Sequence, residues 1–297
     1  MKRKWIGLFV LLTLINVAIY LFKDHFQYIK YSTYNDLYGE CNDACEQKWK
    51  SFLPHYSATD IADSKVILQS LEINSSSTTL DKIKRIGQHL YTNFHTQQGF
   101  PRDTIHKSEP PKQYKILKAD TTQKLWCGTW AQMFAYFCGV ENIICRYIEV
   151  FKPGDHHVLN ECYLPEEKKW VMIDLTSGIL LVEKNKRLLN FQEFLSAAYQ
   201  TTVVDAINFE KKSFNRVVYK NDVVKYYSKE YPTYYYHVTN LERAYTPSEK
   251  IKRYFFPGYW CEIYSNTRHI PWLFYLKLIF IAGWLVVGSL ILFKRFT

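Results

Sequence analysis

Cys127 is the residue in this 297-residue chain best placed to act as a nucleophile. Trp130, Met133, Phe134 and Phe137 recur at i, i+3, i+4 and i+7, which predicts a helix, and Gly139 stands where a stop is expected. Cys127 falls in the first turn of that helix, on the stripe facing the segments that follow. Unpaired backbone N–H groups and the positive end of the helix dipole favour a thiolate there, the form that attacks carbonyl carbon. A cysteine on an apolar stripe is more often buried and inert, so position alone does not make it catalytic.

The partners come from three strand-like runs, Ile143 to Phe151, His157 to Leu164 and Lys169 to Leu175. The four-residue loop 165–168 pairs Leu164 with Lys169, Tyr163 with Trp170 and Glu161 with Met172. Extending that register sets Leu159 opposite Asp174 and turns His157 and Asp174 to one face as diagonal neighbours. His157 would take the thiol proton and return it to a leaving amine, and Asp174 would fix the ring's tautomer. The Cys127 backbone N–H is one oxyanion donor; Gln123 and Trp126 are candidates for a second by proximity. His156 points to the opposite face. A metal site from Cys127, Asp155, His156 and His157 suits chelation poorly, because adjacent strand residues face opposite ways. No metal or cofactor is expected.

The segments Trp126-Cys127-Gly128-Thr129-Trp130-Ala131-Gln132-Met133-Phe134, Cys145-Arg146-Tyr147, His157-Val158-Leu159-Asn160-Glu161 and Lys169-Trp170-Val171-Met172-Ile173-Asp174 together resemble the transglutaminase-like core, a papain-like arrangement. The resemblance covers about residues 78–178. It implies an α+β fold in which a helix carrying the cysteine packs on an antiparallel sheet, with Cys127, His157 and Asp174 as the triad. It also implies amide chemistry: hydrolysis or acyl transfer on a peptide, protein or glycopeptide. Leu125 and Leu159 stand where the family often has glycine and an aromatic residue, which bears on substrate more than on fold. The alternative is a catalytically inactive binding or scaffold domain at the membrane surface.

Two apolar runs frame this core. Trp5 to Phe22 is uncharged and follows Lys2, Arg3 and Lys4; Ile270 to Phe293 contains only Lys277 and precedes Lys294 and Arg295. No small-residue cleavage site follows the first run, so it reads as an anchor rather than a signal peptide. Flanking basic clusters place both ends in the cytoplasm and the middle outside. The chain then divides into an anchor (1–22), a transglutaminase-like domain (23–180), an aromatic-rich extension (181–269) and a second transmembrane helix with its basic tail (270–297). The net charge of +10 shrinks accordingly: the middle holds 32 basic and 28 acidic residues, a net +4 without a basic stripe, which excludes a nucleic-acid binder.

The seven cysteines all lie in this exported middle, where disulfides persist. Cys41 and Cys45 are read equally well as a local bridge or two thiols. Cys138, Cys145 and Cys162 read as structural or bridged. Residues 101–124 read as an exposed connection. After Gly178 a helix is expected with Asn190 as cap and Glu193 three residues on. Residues 219–264 hold 14 aromatic side chains, suited to packing or to a sugar- or peptide-stacking surface.

Overall fold

The computed structural model describes residues 2–22, 26, 30–31, 34–49, 56–152, 154–199, 205–208, 215–216, 233–237, 251, 254–255, 262–265 and 272–296. The helices are α1 (Lys2–Leu21), α2 (Tyr34–Tyr38), α3 (Asp43–Trp49), α4 (Ala58–Ser70), α5 (Thr79–Phe94), α6 (Asp103–His106), α7 (Pro110–Ala119), α8 (Cys127–Val140), α9 (Phe191–Tyr199) and α10 (Trp272–Phe296). The strands are β1 (Lys30–Tyr31), β2 (Cys145–Lys152), β3 (Asp155–Leu164), β4 (Lys169–Ile173), β5 (Ile179–Lys184), β6 (Arg187–Leu188), β7 (Asp205–Asn208), β8 (Asn215–Arg216), β9 (Thr233–His237) and β10 (Glu262–Ser265).

The chain forms two compact units, one of residues 1–30, 244–261 and 267–297, the other of 31–243 and 262–266. The first contains two helices long and apolar enough to cross a membrane, over Lys4–Leu21 and Trp272–Phe293. Within it Phe9 stacks on Trp284 at 5.4 Å, and Trp284 Nε1 donates to Thr13 Oγ1 at 2.9 Å. Lys277 donates to the Tyr254 carbonyl at 2.6 Å and lies over that residue's ring at 4.1 Å.

The second unit is an α+β domain. Its larger sheet has the order β1-β10-β9-β2-β3-β4, and its smaller one β6-β5-β7-β8. β9 lies in the segment read as an aromatic extension, yet it pairs antiparallel with β2, Ile148 opposite Tyr236. Most of residues 219–264, and Cys261, lie outside the described residues.

Helix α8 is central, buried on every side from Thr129 to Val140 rather than along one stripe. Two of its polar side chains are tied to neighbouring elements: Gln132 Oε1 accepts from Gln113 at 3.0 Å, and the Tyr136 hydroxyl donates to the Asp60 carbonyl at 3.0 Å. Gly139 does not end it. Ile143 N bonds Cys138 O at 2.8 Å and Asn142 N bonds Gly139 O at 3.0 Å, with Asn142 at φ 56°, a Schellman closure built on asparagine. The segment 101–124 is largely helical, because Pro110 and Pro111 open α7, where a missing N–H costs nothing, and Tyr114 and Leu117 are buried. α9 keeps its expected cap, with Glu193 N bonding Asn190 Oδ1 at 2.8 Å and Asn190 N bonding Glu193 Oε2 at 3.0 Å.

The reverse side of the sheet carries a buried ion pair. Arg146 donates from Nε and Nη2 to Glu161 Oε2 at 3.0 and 2.7 Å, and from Nη1 to the Leu37 carbonyl at 2.8 Å. The guanidinium lies 3.7 Å from the Trp170 ring centroid. Glu161 Oε1 accepts from the Tyr38 hydroxyl at 2.9 Å and from Phe191 N at 2.6 Å. Burial pushes the Glu161 carboxyl up while Arg146 and these donors pull it back. One pair thereby ties α2 and α9 to β2 and β3.

Candidate active site

Cys127 is the first residue of α8, after Trp126 as N-cap. The first intrahelical bond runs from Trp130 N to Trp126 O at 3.1 Å, so the N–H groups of Cys127, Gly128 and Thr129 precede the helical ladder. Leu125 is held just ahead by a two-bond bridge: Leu125 N to Gln97 O at 2.9 Å and Gly99 N to Leu125 O at 3.0 Å. Gly99 sits at φ 149°, backbone that suits glycine. The Cys127 thiol is half-buried and reduced.

The β3–β4 ladder follows the register expected from the loop length as far as Asn160 opposite Ile173. There it ends. Asp174 instead pairs with Ile179 across a tight turn, with N···O distances of 2.8 Å both ways. Gly178 makes the turn at φ 68°, and a Cβ there would lie 3.0 Å from the Tyr91 hydroxyl. The turn aims Ser177 at the carboxylate: its N bonds Asp174 Oδ1 at 3.3 Å and its hydroxyl donates to Oδ2. Gln98 Nε2 reaches the Thr176 carbonyl at 2.9 Å. Residues 97–99 thus brace both the start of α8 and the Asp174 turn, a role no sequence pattern announced.

His157, buried on β3, faces the same way. Its Nε2 lies 2.9 Å from Asp174 Oδ2, which leaves Nδ1 for the thiol, and the Cys127 side chain hydrogen-bonds the ring. Burial pulls the imidazole down, but the Asp174 charge and hydrogen bond, with Cys127, outweigh it and push the ring up to about 10. A ring at that value keeps its proton at neutral pH.

The other sequence candidates divide. His156 is exposed on the opposite face of β3. Gln123 spends its amide on Asp120 Oδ2 at 2.7 Å. Trp126 lies over the first turn of α8, its Nε1 3.6 Å from where a Cβ on Gly128 would be, and its ring meets His106 edge-on at 5.0 Å. Among the described residues, Cys127, Asp155, His156 and His157 form no metal-ligand cluster.

A half-buried thiol at a helix start, an imidazole beside it and a carboxylate behind the ring are placed by one helix, one strand and the turn that follows the next strand. Residues 69–175 match the family model of the transglutaminase-like superfamily. They form a transglutaminase-like domain. A plant relative, the peptide-N(4)-(N-acetyl-beta-glucosaminyl)asparagine amidase of Arabidopsis thaliana, is 34% identical over 84 residues. That match takes in 26% of this chain and spans only 11% of the relative's length. A solved structure from Cytophaga hutchinsonii, described as a candidate cysteine protease, is 16% identical, with a TM-score of 0.28 over 44% of this chain and 46% of that one. The transglutaminase-like segment contains Cys127, His157 and Asp174 together with α5 and α7, which with the preceding α4 wall the helix.

Proposed function

We propose that this protein is a membrane-anchored, thiol-dependent amide hydrolase or acyl transferase acting on peptide or glycopeptide amides outside the cytoplasm. The observation that carries this is His157, bonded to Asp174 through one ring nitrogen and presenting the other to Cys127. In the cycle His157 holds the thiol proton while Cys127 Sγ attacks the amide carbon. Charge then develops on the carbonyl oxygen, toward the Cys127 backbone N–H and the Trp126 indole N–H. His157 passes its proton to the leaving amine, giving a thioester at Cys127. Water or a second amine, activated by the now neutral ring, attacks the thioester, and Cys127 leaves as thiolate. Asp174 keeps the ring oriented throughout. The amidase relative, by its name, supports a glycopeptide or peptide amide as the substrate class.

The two apolar helices, each flanked by basic residues, support an integral membrane protein with both ends cytoplasmic and residues 23–269 outside. Reporter fusions at each end and after Ser177 test the topology; an extracytoplasmic C-terminus overturns it. Amine release from a panel of peptide amides and N-glycopeptides tests the chemistry. Turnover of at least one class by the full-length protein, absent in Cys127→Ser, is expected. No turnover by a folded wild type favours the scaffold reading.

A further inference from the structure

Three further cysteines meet inside the domain, away from the Cys127 edge. Cys138 comes from the last turns of α8, Cys145 opens β2 and Cys162 lies on β3; all are buried and none is in a disulfide. Cys145 and Cys162 are directly opposed in the β2–β3 ladder. Cys138 descends onto them, its Sγ 3.9 Å from Cys162 Sγ, and the three sulfur atoms lie within 4.8 Å of one another. By contrast, the Cys41 and Cys45 pair is closed as a disulfide.

The size of the triangle separates the outcomes open to three thiols. An ion bound to thiolates at about 2.3 Å needs sulfur atoms about 4 Å apart. The Cys138–Cys162 edge already has that length, and the other edges fit after a contraction of under about 1 Å. A Cys138–Cys162 disulfide needs about 2.05 Å, so those two sulfur atoms would have to close by nearly 2 Å in a packed core, and any disulfide leaves the third thiol alone. Burial pushes the Cys145 thiol up, but hydrogen bonds from Cys138, Cys162 and Asn160 and the nearby Arg146 charge outweigh it and hold it down to about 5. Cys138 and Cys162 are pushed up by burial.

We propose that Cys138, Cys145 and Cys162 form a three-thiolate site for a soft d10 metal ion, zinc-like or copper(I), that pins α8 to β2 and β3. Soft thiolate sets select such ions. No electron moves: each ligating thiol exchanges its S–H bond for a sulfur–metal bond and gives its proton to solvent. The ion enters as the chain folds, so a closed core is no barrier. Its role is geometric, because the helix it holds carries Cys127 and β3 carries His157. The site is separate from the proposed reaction and stands whether or not that reaction occurs.

The test uses the full-length protein, purified under reducing, oxygen-free conditions and freed of reductant. One portion is titrated with cadmium(II) as a zinc surrogate, another with copper(I). One equivalent of at least one ion should produce sulfur-to-metal charge-transfer absorption that Cys138→Ala or Cys162→Ala abolishes and Cys127→Ala leaves intact. The arm that responds names the ion class. Where a core variant does not fold, peptide mapping of wild-type protein alkylated during unfolding replaces it: the three cysteine peptides should lose label together in the loaded protein. Absence of the band with both ions overturns the proposal. So does a band lost in Cys127→Ala but kept in Cys162→Ala, or recovery of two of the three cysteines as a disulfide in a separate portion alkylated and mapped without any reductant.

Discussion

Strand β3 carries two buried acid–base partnerships four residues apart, and they are finished differently. Glu161 accepts two bonds from Arg146 on one carboxylate oxygen, and a tyrosine hydroxyl and a backbone N–H on the other. His157 meets Asp174 through one nitrogen and turns the other toward a half-buried thiol. In the first pair each carboxylate oxygen of Glu161 accepts two bonds from protein, so the pair is an architectural clamp. The second leaves one position facing a group that can be acylated. Burial and charge are shared by both, so neither marks a reactive site by itself; the difference lies in which bonding position remains for something other than the fold.

If the contrast is correct, breaking each pair should produce a different kind of damage. The largest effect is expected at the open pair. Cys127→Ser and His157→Ala should each lower turnover by at least about a thousandfold, with Asp174→Asn costing about tenfold to a hundredfold less, because the groups act as a unit. Steady-state rates on folded variants check this, and equal unfolding midpoints for Cys127→Ser and wild type would complete the contrast. At the closed pair, Glu161→Gln or Arg146→Met should leave an uncompensated buried charge and cost about 3–5 kcal/mol of stability. Denaturant unfolding measures it; a loss below about 1 kcal/mol would place that pair with ordinary surface bridges.

A third effect depends on pH and belongs to the open pair. His157 is pushed up to about 10 in the folded chain, against about 6.5 for an unperturbed ring. The folded state therefore binds the proton more tightly, and this stabilisation is fully present below about pH 6.5 and lost as pH rises through about 10. Unfolding midpoints across that window should fall more steeply in wild type than in His157→Gln. Parallel slopes would mean the ring carries no such proton. The smallest effect belongs to neither pair. Asn142→Ala puts a β-carbon with no compensating side chain at a left-handed position and should cost about 1 kcal/mol without changing turnover.

What the sequence disclosed follows from how local each signal is. The loop 165–168 fixed the β3–β4 register by length, and the capping residue Asn190 fixed the start of α9 through a group within three residues. The face shared by His157 and Asp174 was readable for the same reason. The Asp174–Ile179 turn was not, since Gly178 read as a break and gave no hint that the ladder stopped one residue earlier. Prolines 110 and 111 looked like loop residues because the apolar positions that bury α7 are few. Residues 97–99 act through backbone bonds to Leu125 and a side-chain bond to Thr176, contacts invisible to any periodicity. The meeting of Cys138, Cys145 and Cys162 combines a helix with two strands, so their spacing in the chain resembles no ligand motif.

The central claim is that Cys127 forms a covalent bond to substrate carbon with His157 as its proton partner. Intact-mass measurement of the full-length protein, quenched in acid during turnover of a reactive peptide ester or amide, tests this most directly. The account predicts an added acyl mass that maps to the Cys127 peptide, is released by hydroxylamine, and is missing in Cys127→Ser and in His157→Ala. An acyl adduct on another residue, or turnover that proceeds undiminished in Cys127→Ser, would contradict it.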